Sequence, residues 1–193
     1  MSKLLIVIGS TRPGRVGLPV AEWFAAHAVA DGRFEVELAD LAELELPLFD
    51  EPHAPYLRQY TKAHSLAWSA TVDAADAIVI VTAEYNHGYP APLKNALDYL
   101  CHEWRHKPLG FVSYGGIAAG TRAVQQLQQV VVALQMVPAP TAVKLPNVFA
   151  MFDEQSNFVA NDSAEQAASA MLAELETLNR VLAPLRAPQA AGS

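Results

Sequence analysis

The sequence predicts an α/β protein in which five strands alternate with five helices and form one parallel sheet covered by helices on both faces. Two observations support this prediction. Short apolar runs alternate along the chain with longer segments whose apolar residues recur at helical spacing. Hydrophobic residues make up 52% of the 193 residues and charged residues 17%, so the chain can bury one sizeable core. The chain is short for two mononucleotide-binding halves, which favours a three-layer fold with the strand order 2-1-3-4-5.

The predicted strands are short apolar runs bounded by turn residues. The first is continuously apolar, as expected for a strand that is buried on both faces of a sheet. The second alternates apolar with acidic residues, which is typical of an edge strand, and the third is rich in β-branched residues. The fifth is interrupted by proline and therefore belongs at the sheet edge. In chain order, the five strands span residues 3–8, 34–39, 77–82, 109–113 and 138–145.

The predicted helices are segments in which apolar side chains recur every three or four residues. Ser163 is placed to cap the last of them. In chain order, the five helices span residues 16–30, 56–75, 93–104, 121–136 and 163–183. The proline- and acid-rich residues 40–55 are expected to form a surface loop. We expect one domain over residues 1–183 and a disordered tail of small residues over 184–193.

Composition excludes several classes of function. The formal charge of −7, with no long basic run to offset it, argues against nucleic-acid binding. Cys101 is the only cysteine, so no intrachain disulfide is possible, which fits a cytoplasmic protein. No apolar run approaches the roughly 18 to 20 residues of a membrane span.

Three polar, glycine-rich loops follow the first, third and fourth strands and begin at Gly9, Ala83 and Tyr114. The carboxyl ends of parallel strands meet at one edge of a sheet, and ligands bind there near the point where the strand order reverses. We therefore expect the three loops to converge on a single ligand site.

The first loop has the chemistry of an anion site. It leads into a helix N-terminus, where free N–H groups and the helix dipole favour negative charge. Ser10 and Thr11 add hydroxyl groups, and Arg12 and Arg15 add guanidinium groups that suit phosphate oxygens. The loop matches neither GxGxxG nor the Walker pattern, so it predicts a pocket for one terminal phosphate. The alternative is a plain strand-to-helix loop with exposed arginines.

The second and third loops could receive a planar ring. Tyr85 could pack on the ring while loop N–H and C=O groups read its polar edge. Alternatively, Tyr85 is an ordinary core residue and Asn86 forms a turn. In the third loop, Gly115 and Gly116 allow a close approach of backbone that a Cβ would obstruct.

Three motifs together resemble the NAD(P)H-dependent FMN reductase family: Gly-Ser-Thr-Arg at 9–12, Glu-Tyr-Asn-His-Gly-Tyr-Pro at 84–90 with Leu-Lys-Asn-Ala-Leu-Asp at 93–98, and Ser-Tyr-Gly-Gly at 113–116. That family is flavodoxin-like and includes flavin, quinone, azo-dye and chromate reductases. The sequence departs from it at Ala83, where the family usually has proline, so the second loop is expected to be looser.

The resemblance implies an FMN site spread over the three loops. The first loop would hold the phosphate, the second would lie along the isoalloxazine and ribityl chain, and the third would line the pyrimidine edge. The implied FMN-binding residues are Ser10, Thr11, Arg12, Arg15, Val16, Gly17, Ala83, Glu84, Tyr85, Asn86, Ser113, Tyr114, Gly115 and Gly116.

The implied activity is transfer of a hydride from NADPH or NADH through flavin N5 to a small acceptor: a quinone, a flavin, an azo compound or a metal oxyanion. No side chain is assigned as a catalytic acid or base, because the flavin carries the chemistry. Family members are dimers or tetramers, and Leu100, Trp104 and Val131 would offer an apolar surface for association. The alternative is a flavodoxin-like electron carrier with a protein redox partner.

Residues 102–106 match HExxH, the pattern of zinc proteases. They fall where a helix should end before Pro108, at the sheet edge opposite the three loops, so we predict no metal site. Cys101 lies on an apolar stripe and is expected to be a structural thiol. Lys94 has two candidate partners, Asp98 at i+4 and a phosphate of the nicotinamide cofactor.

Overall fold

The computed structural model of the chain describes residues 1–186. It confirms a parallel sheet with helices on both faces and the strand order β2-β1-β3-β4-β5, to which a sixth strand is added. The strands are β1 (Ser2–Ile8), β2 (Phe34–Asp40), β3 (Ala77–Ala83), β4 (Pro108–Tyr114), β5 (Val137–Pro138) and β6 (Val143–Leu145). The helices are α1 (Gly17–Asp31), α2 (Leu41–Leu44), α3 (Ala63–Ala74), α4 (Ala91–Asp98), α5 (Thr121–Ala133) and α6 (Asp162–Arg186).

Alternation along the central strands divides the core into two halves. In β1, Leu4, Ile6 and Ile8 face the half that is closed by α1 and α6. Leu5 and Val7 face the other half, which is closed by α3, α4 and α5. Successive strand residues point to opposite faces, so a continuously apolar strand serves both halves.

The sheet register brings the three predicted loops together. Ile8 pairs with Val81, and Thr82 pairs with Ser113, so β1, β3 and β4 end nearly level. The Gly9 N–H donates to the Val81 carbonyl at 2.9 Å, which holds the start of the first loop beside β3. The loops therefore leave the same edge of the sheet.

The fifth strand was predicted as one continuous strand over residues 138–145, but the structure has two short strands there, β5 and β6. Both β5 and β6 pair with β4. Between them, Thr141 donates its N–H and its hydroxyl to the carboxylate of Glu174 in α6, at 2.9 and 2.6 Å. The Glu174 carboxylate thus accepts from Thr141 in place of a neighbouring strand. Pro140 has no N–H group and cannot donate to a neighbouring strand either.

Three predicted helices are too long, although the one over 121–136 exceeds α5 by only three residues. The segment 56–75 begins as a helix only at Ala63, because the carboxylate of Glu51 accepts the N–H groups of Thr61 and Lys62 and so caps α3 from a distant loop. That loop is itself not wholly irregular. It starts with α2, whose Ala42 N–H is capped by Asp40 at 3.0 Å.

The helix predicted over 93–104 ends at Asp98. Continuing it would require the Cys101 N–H to bond to the Leu97 carbonyl. Instead, that carbonyl accepts the indole N–H of Trp104 at 3.1 Å, and the Cys101 N–H turns to the buried carboxylate of Glu103 at 3.3 Å. The chain then makes a single 3₁₀ turn over His102–Trp104.

Leu100, Trp104 and Val131 are buried in the core of the chain, so the association surface assigned to them is wrong. At the other end, α6 runs through Pro184 to Arg186, three residues into the predicted tail, and Arg186 anchors it by donating to the His106 carbonyl at 2.9 Å. The rest of the predicted tail lies outside the described residues. Within residues 1–186, no helix is both long enough and apolar enough to span a bilayer.

Candidate functional site

A cleft of about 180 Å³ lies at the sheet edge where the three loops converge. Eight of the residues assigned to the site line it, together with two residues that sequence reasoning missed, Val148 and Phe149. The predicted residues among its walls are Arg12, Val16, Ala83, Glu84, Tyr85, Tyr114, Gly115 and Gly116. Ala83 remains within β3, paired with Tyr114 of β4, and is buried.

The side of the cleft formed by the first loop is rich in hydroxyl groups. Ser10 is fully buried, and its Oγ lies 2.6 Å from the phenol oxygen of Tyr85, which links the first loop to the second. The phenol of Tyr114 packs on Gly17, where an added Cβ would lie 2.5 Å from the hydroxyl oxygen. Burial, with Tyr85 as a weaker contributor, raises the pKa of Tyr114 and keeps its proton in place.

Two buried hydroxyl groups at this edge have no hydrogen-bond partner among residues 1–186: Ser113 Oγ and Tyr114 Oη. Buried polar groups are normally paired, and an unpaired one costs about 1–3 kcal/mol. The N-terminus of α1 also receives no capping side chain from the described part of the chain. Ser113 and Tyr114 are successive residues of β4 and point to opposite faces of the sheet, so of the two only Tyr114, which packs on Gly17, lies beside the α1 N-terminus. A buried hydroxyl group without a partner beside an uncapped helix N-terminus fits a ligand that carries acceptor oxygens.

The two arginines of the first loop have different surroundings. Arg12 is exposed and lines the cleft, with one long contact from its guanidinium to the Gly14 carbonyl at 3.4 Å. Arg15 forms an ion pair with Asp40, the last residue of β2. Phosphate binding by either arginine stays a prediction, but Asp40 already pairs with Arg15, whereas Arg12 has no carboxylate partner among the described residues.

Thr11 does not line this cleft. It borders a neighbouring cleft of about 300 Å³ formed with α2 and the start of α4. Of the other residues of the first loop, Arg12 and Val16 line the cleft, while Ser10 and Gly17 contact Tyr85 and Tyr114 of the other two loops.

The second loop is a tight two-residue turn. Tyr85 and Gly88 exchange backbone hydrogen bonds of 2.8 and 2.9 Å, and the two residues between them, Asn86 and His87, have φ values of 51° and 70°. This is the pattern of a type I′ turn, which asparagine tolerates and histidine adopts at a cost. Asn86 therefore has the turn role considered for it. Tyr85 is 39% exposed and is not a core residue.

Contacts with α5 hold this turn in place. The carboxylate of Glu84 accepts from the Arg122 guanidinium at 2.8 Å and from the Arg122 N–H at 3.2 Å, and Gln126 donates to the His87 carbonyl at 3.1 Å. Burial alone would raise the pKa of Glu84, but the Arg122 hydrogen bonds outweigh it, so the pKa is lowered. Sequence reasoning missed Arg122, since nothing in the sequence pairs it with Glu84.

Of the two glycines predicted to allow a close approach of backbone, only Gly115 does so, because a Cβ there would lie 3.2 Å from the Gly120 nitrogen. A Cβ added to Gly116 would meet nothing within 4 Å in the described residues. At Gly120, φ is +75° and an added Cβ would lie 2.9 Å from the Tyr114 carbonyl oxygen. Gly120 is therefore the residue that lets the turn close, and open space at Gly116 leaves room for a ligand.

The HExxH residues lie at the opposite edge of the sheet and have structural partners. His102 Nε2 lies 2.7 Å from the Tyr56 carbonyl, and the buried Glu103 accepts from Ser69 at 2.7 Å and from Tyr60 at 3.1 Å. Lys94 pairs with Asp98 at 2.5 Å. Across residues 1–186, His, Cys, Asp and Glu side chains do not gather in threes as metal ligands would.

The sheet order and the ligand cleft beyond its carboxyl edge define a flavodoxin-like protein. Residues 2–150 match the family model of NADPH-dependent FMN reductases, and the chain belongs to that family. A NAD(P)H-dependent FMN reductase of Schizosaccharomyces pombe is 43% identical over 148 residues, covering 75% of this chain and 74% of that protein.

A second NAD(P)H-dependent FMN reductase, from a Nectria species, is 38% identical over 155 residues and covers 76% of each chain. Among solved structures, the flavoenzyme NAD(P)H:(acceptor) oxidoreductase FerB of Paracoccus denitrificans has the same fold. Its TM-score is 0.74 at 18% identity, with 94% of this chain and 99% of FerB covered.

Proposed function

We propose that this chain binds FMN and, through it, carries a hydride from NAD(P)H to a small acceptor. The observation that carries the proposal is the convergence of three loops on one cleft in which the buried, unpaired hydroxyl group of Tyr114 lies beside an uncapped helix N-terminus. Membership of the NADPH-dependent FMN reductase family supports the same activity. It favours an enzyme over an electron carrier that docks on a protein partner.

The residues of the cleft fit FMN in three parts. Arg12, Ser10 and the α1 N-terminus would hold the phosphate, and the unpaired Tyr114 hydroxyl would donate to a phosphate or ribityl oxygen. The exposed ring of Tyr85 would flank the flavin, and the third loop, with Gly116, would admit its pyrimidine edge. In this assignment, Arg15 supports the loop through Asp40.

Bound FMN supplies a flavin N5 atom that accepts a hydride and later releases it. The chain's own part is to fix the ring and to leave one face open to successive partners. The second loop, residues 84–90, is called the ring loop because it would flank the flavin ring. It is well suited to this role, because its I′ turn is tied to α5 by Glu84 and Gln126 and is preorganised before any ligand binds.

Three finer assignments belong to the same proposal. The acceptor is a quinone, a flavin, an azo compound or a metal oxyanion, since an open flavin face accepts each of them. The chain associates as a homodimer or a tetramer. Ile117 and Phe149, which are 88% and 74% exposed beside the cleft, are better candidates for the contact than the buried residues first considered. The single cysteine supports a cytoplasmic location.

A reconstitution experiment tests the proposal. The purified protein is stripped of cofactor, loaded with FMN, and mixed with NADPH or NADH and a quinone. We expect FMN-dependent oxidation of the nicotinamide, with light scattering giving a particle larger than one chain. A protein that binds FMN yet oxidises neither nicotinamide would reject the enzyme, and a protein that does not bind FMN would reject the site.

A further inference from the structure

A third cleft, of about 280 Å³, adjoins the third loop on its α5 side. Gly115, Gly116 and Gly120 line it, together with Glu84 of the ring loop and Arg122 in the first turn of α5. The third loop is the part of the site assigned to the flavin pyrimidine edge, so Arg122 shares a cleft with that edge.

The Arg122 side chain is held in place by Glu84 and still has hydrogen-bond donors available for a ligand. One guanidinium nitrogen bonds to Glu84, while Nε and the second amino group make no hydrogen bond with any described residue. The side chain is 46% exposed, whereas that of Glu84 is 11% exposed. The pair thus places a half-exposed cation, with free donors, on the wall of the cleft.

Two-electron reduction of a flavin adds negative charge to its N1 and C2 carbonyl region. A fixed cation or helix N-terminus near that region stabilises the reduced form relative to the oxidised form. Here α5 points its N-terminus at the same cleft, but Glu84 caps that terminus and opposes its positive potential. The positive charge of Arg122 and the α5 N-terminus therefore favours the reduced flavin, and the negative charge of Glu84 disfavours it.

We propose that Arg122, held in place by the positioning residue Glu84, stabilises the negative charge of the reduced flavin and so raises its reduction potential. This rests on the proposed FMN site. Arg122 preferentially stabilises the reduced cofactor, and Glu84 sets the strength of the effect by fixing the guanidinium and by partly neutralising it.

The test measures the dissociation constants of oxidised and reduced FMN and the midpoint potential under anaerobic conditions. Arg122→Gln should weaken binding of reduced FMN relative to oxidised FMN on the order of tenfold, as expected for a partly screened unit charge. For a two-electron couple this lowers the potential by about 30 mV. Glu84→Gln keeps an acceptor for Arg122, removes the opposing charge and should shift the potential upward.

Two further variants separate charge from structure. Arg122→Lys keeps the cation and should restore part of the potential lost in Arg122→Gln. Arg105→Gln removes one positive charge at the opposite sheet edge and should leave the potential unchanged, although the net charge of the protein falls equally. If Arg122→Gln does not fold, the upward shift in Glu84→Gln carries the test, and its absence overturns the proposal.

A purely structural role predicts a different result. If Arg122 only anchors the ring loop, Arg122→Gln and Glu84→Gln would weaken oxidised and reduced FMN by the same factor, and the potential would not move. That result overturns the inference while leaving the FMN site intact. Failure of the unaltered protein to bind FMN would overturn the inference and the proposed function together.

Discussion

Gly17 is the position where a single methyl group should damage the site most directly. A Cβ at this residue would lie 2.5 Å from the Tyr114 hydroxyl oxygen, well inside contact distance, and Tyr114 is only 5% exposed. The phenol cannot retreat freely because its ring is part of the core. Overpacking of this kind costs about 1–3 kcal/mol, so Gly17→Ala should lower the free energy of unfolding by that amount.

The cause can be isolated by removing the other partner. In Tyr114→Phe, the nearest remaining atom of the ring would lie 3.3 Å from the added Cβ. The cost of Gly17→Ala should then fall below about 1 kcal/mol, which gives a coupling energy of about 1–2 kcal/mol in a double-mutant cycle. Tyr114→Phe alone should be nearly neutral without ligand, because the hydroxyl it removes has no partner in the described residues.

Urea unfolding of the cofactor-free protein measures all four members of the cycle. Equal destabilisation by Gly17→Ala in both backgrounds would refute the contact between Gly17 and the Tyr114 hydroxyl. Titration with FMN adds a second readout. Tyr114→Phe should weaken FMN binding if its hydroxyl donates to the cofactor, and unchanged affinity would contradict that role.

Three other changes test separate parts of the structure. Arg12→Ala should weaken FMN binding by about ten- to a hundredfold and riboflavin binding much less, because only FMN carries the phosphate; equal losses would contradict the site. Glu51→Gln should cost about 2 kcal/mol of unfolding free energy at neutral pH. Burial raises the pKa of Glu51, but the nearby Ser65 hydroxyl and the hydrogen bonds from Lys62 and Thr61 lower it to about 2, so this cost should shrink between pH 4.5 and 2. Urea unfolding at pH 7 and pH 3 checks it, and a cost that does not fall contradicts the cap. Lys94→Ala should change stability by about 0.5 kcal/mol or less and leave the NADPH-to-NADH ratio unchanged, because Asp98 already pairs with the lysine; a selective loss of NADPH activity would contradict this.

The parts of the fold that could be predicted are those that follow from local pattern. The apolar run of β1 required burial on both faces, and the level ends of β1, β3 and β4 brought three polar loops together. Once that edge of the sheet was assigned, most residues that line the cleft could be predicted, because they lie at the end of a strand or in the loop that follows it. Gly115 also lies where a Cβ would be crowded, as expected for the third loop, whereas the contact of Gly17 with Tyr114 was not predicted.

The parts that could not be predicted depend on distant side-chain partners. Arg15 was assigned to phosphate, but Asp40 is far from it in the sequence and is its neighbour only when β2 lies beside β1. The helix predicted up to residue 104 had an unbroken apolar stripe, yet Trp104 and the buried Glu103 offered its backbone groups alternative bonds. Such pairings follow from tertiary structure and leave no periodic signal.

The central claim is that this chain is an FMN-dependent oxidoreductase and not a passive flavin carrier. Anaerobic titration of the FMN-loaded protein with NADPH, followed by absorbance, tests it most directly. We predict stoichiometric bleaching of the flavin band and its return when a quinone is added without oxygen. A flavin band that persists in excess NADPH and in excess NADH would contradict the claim.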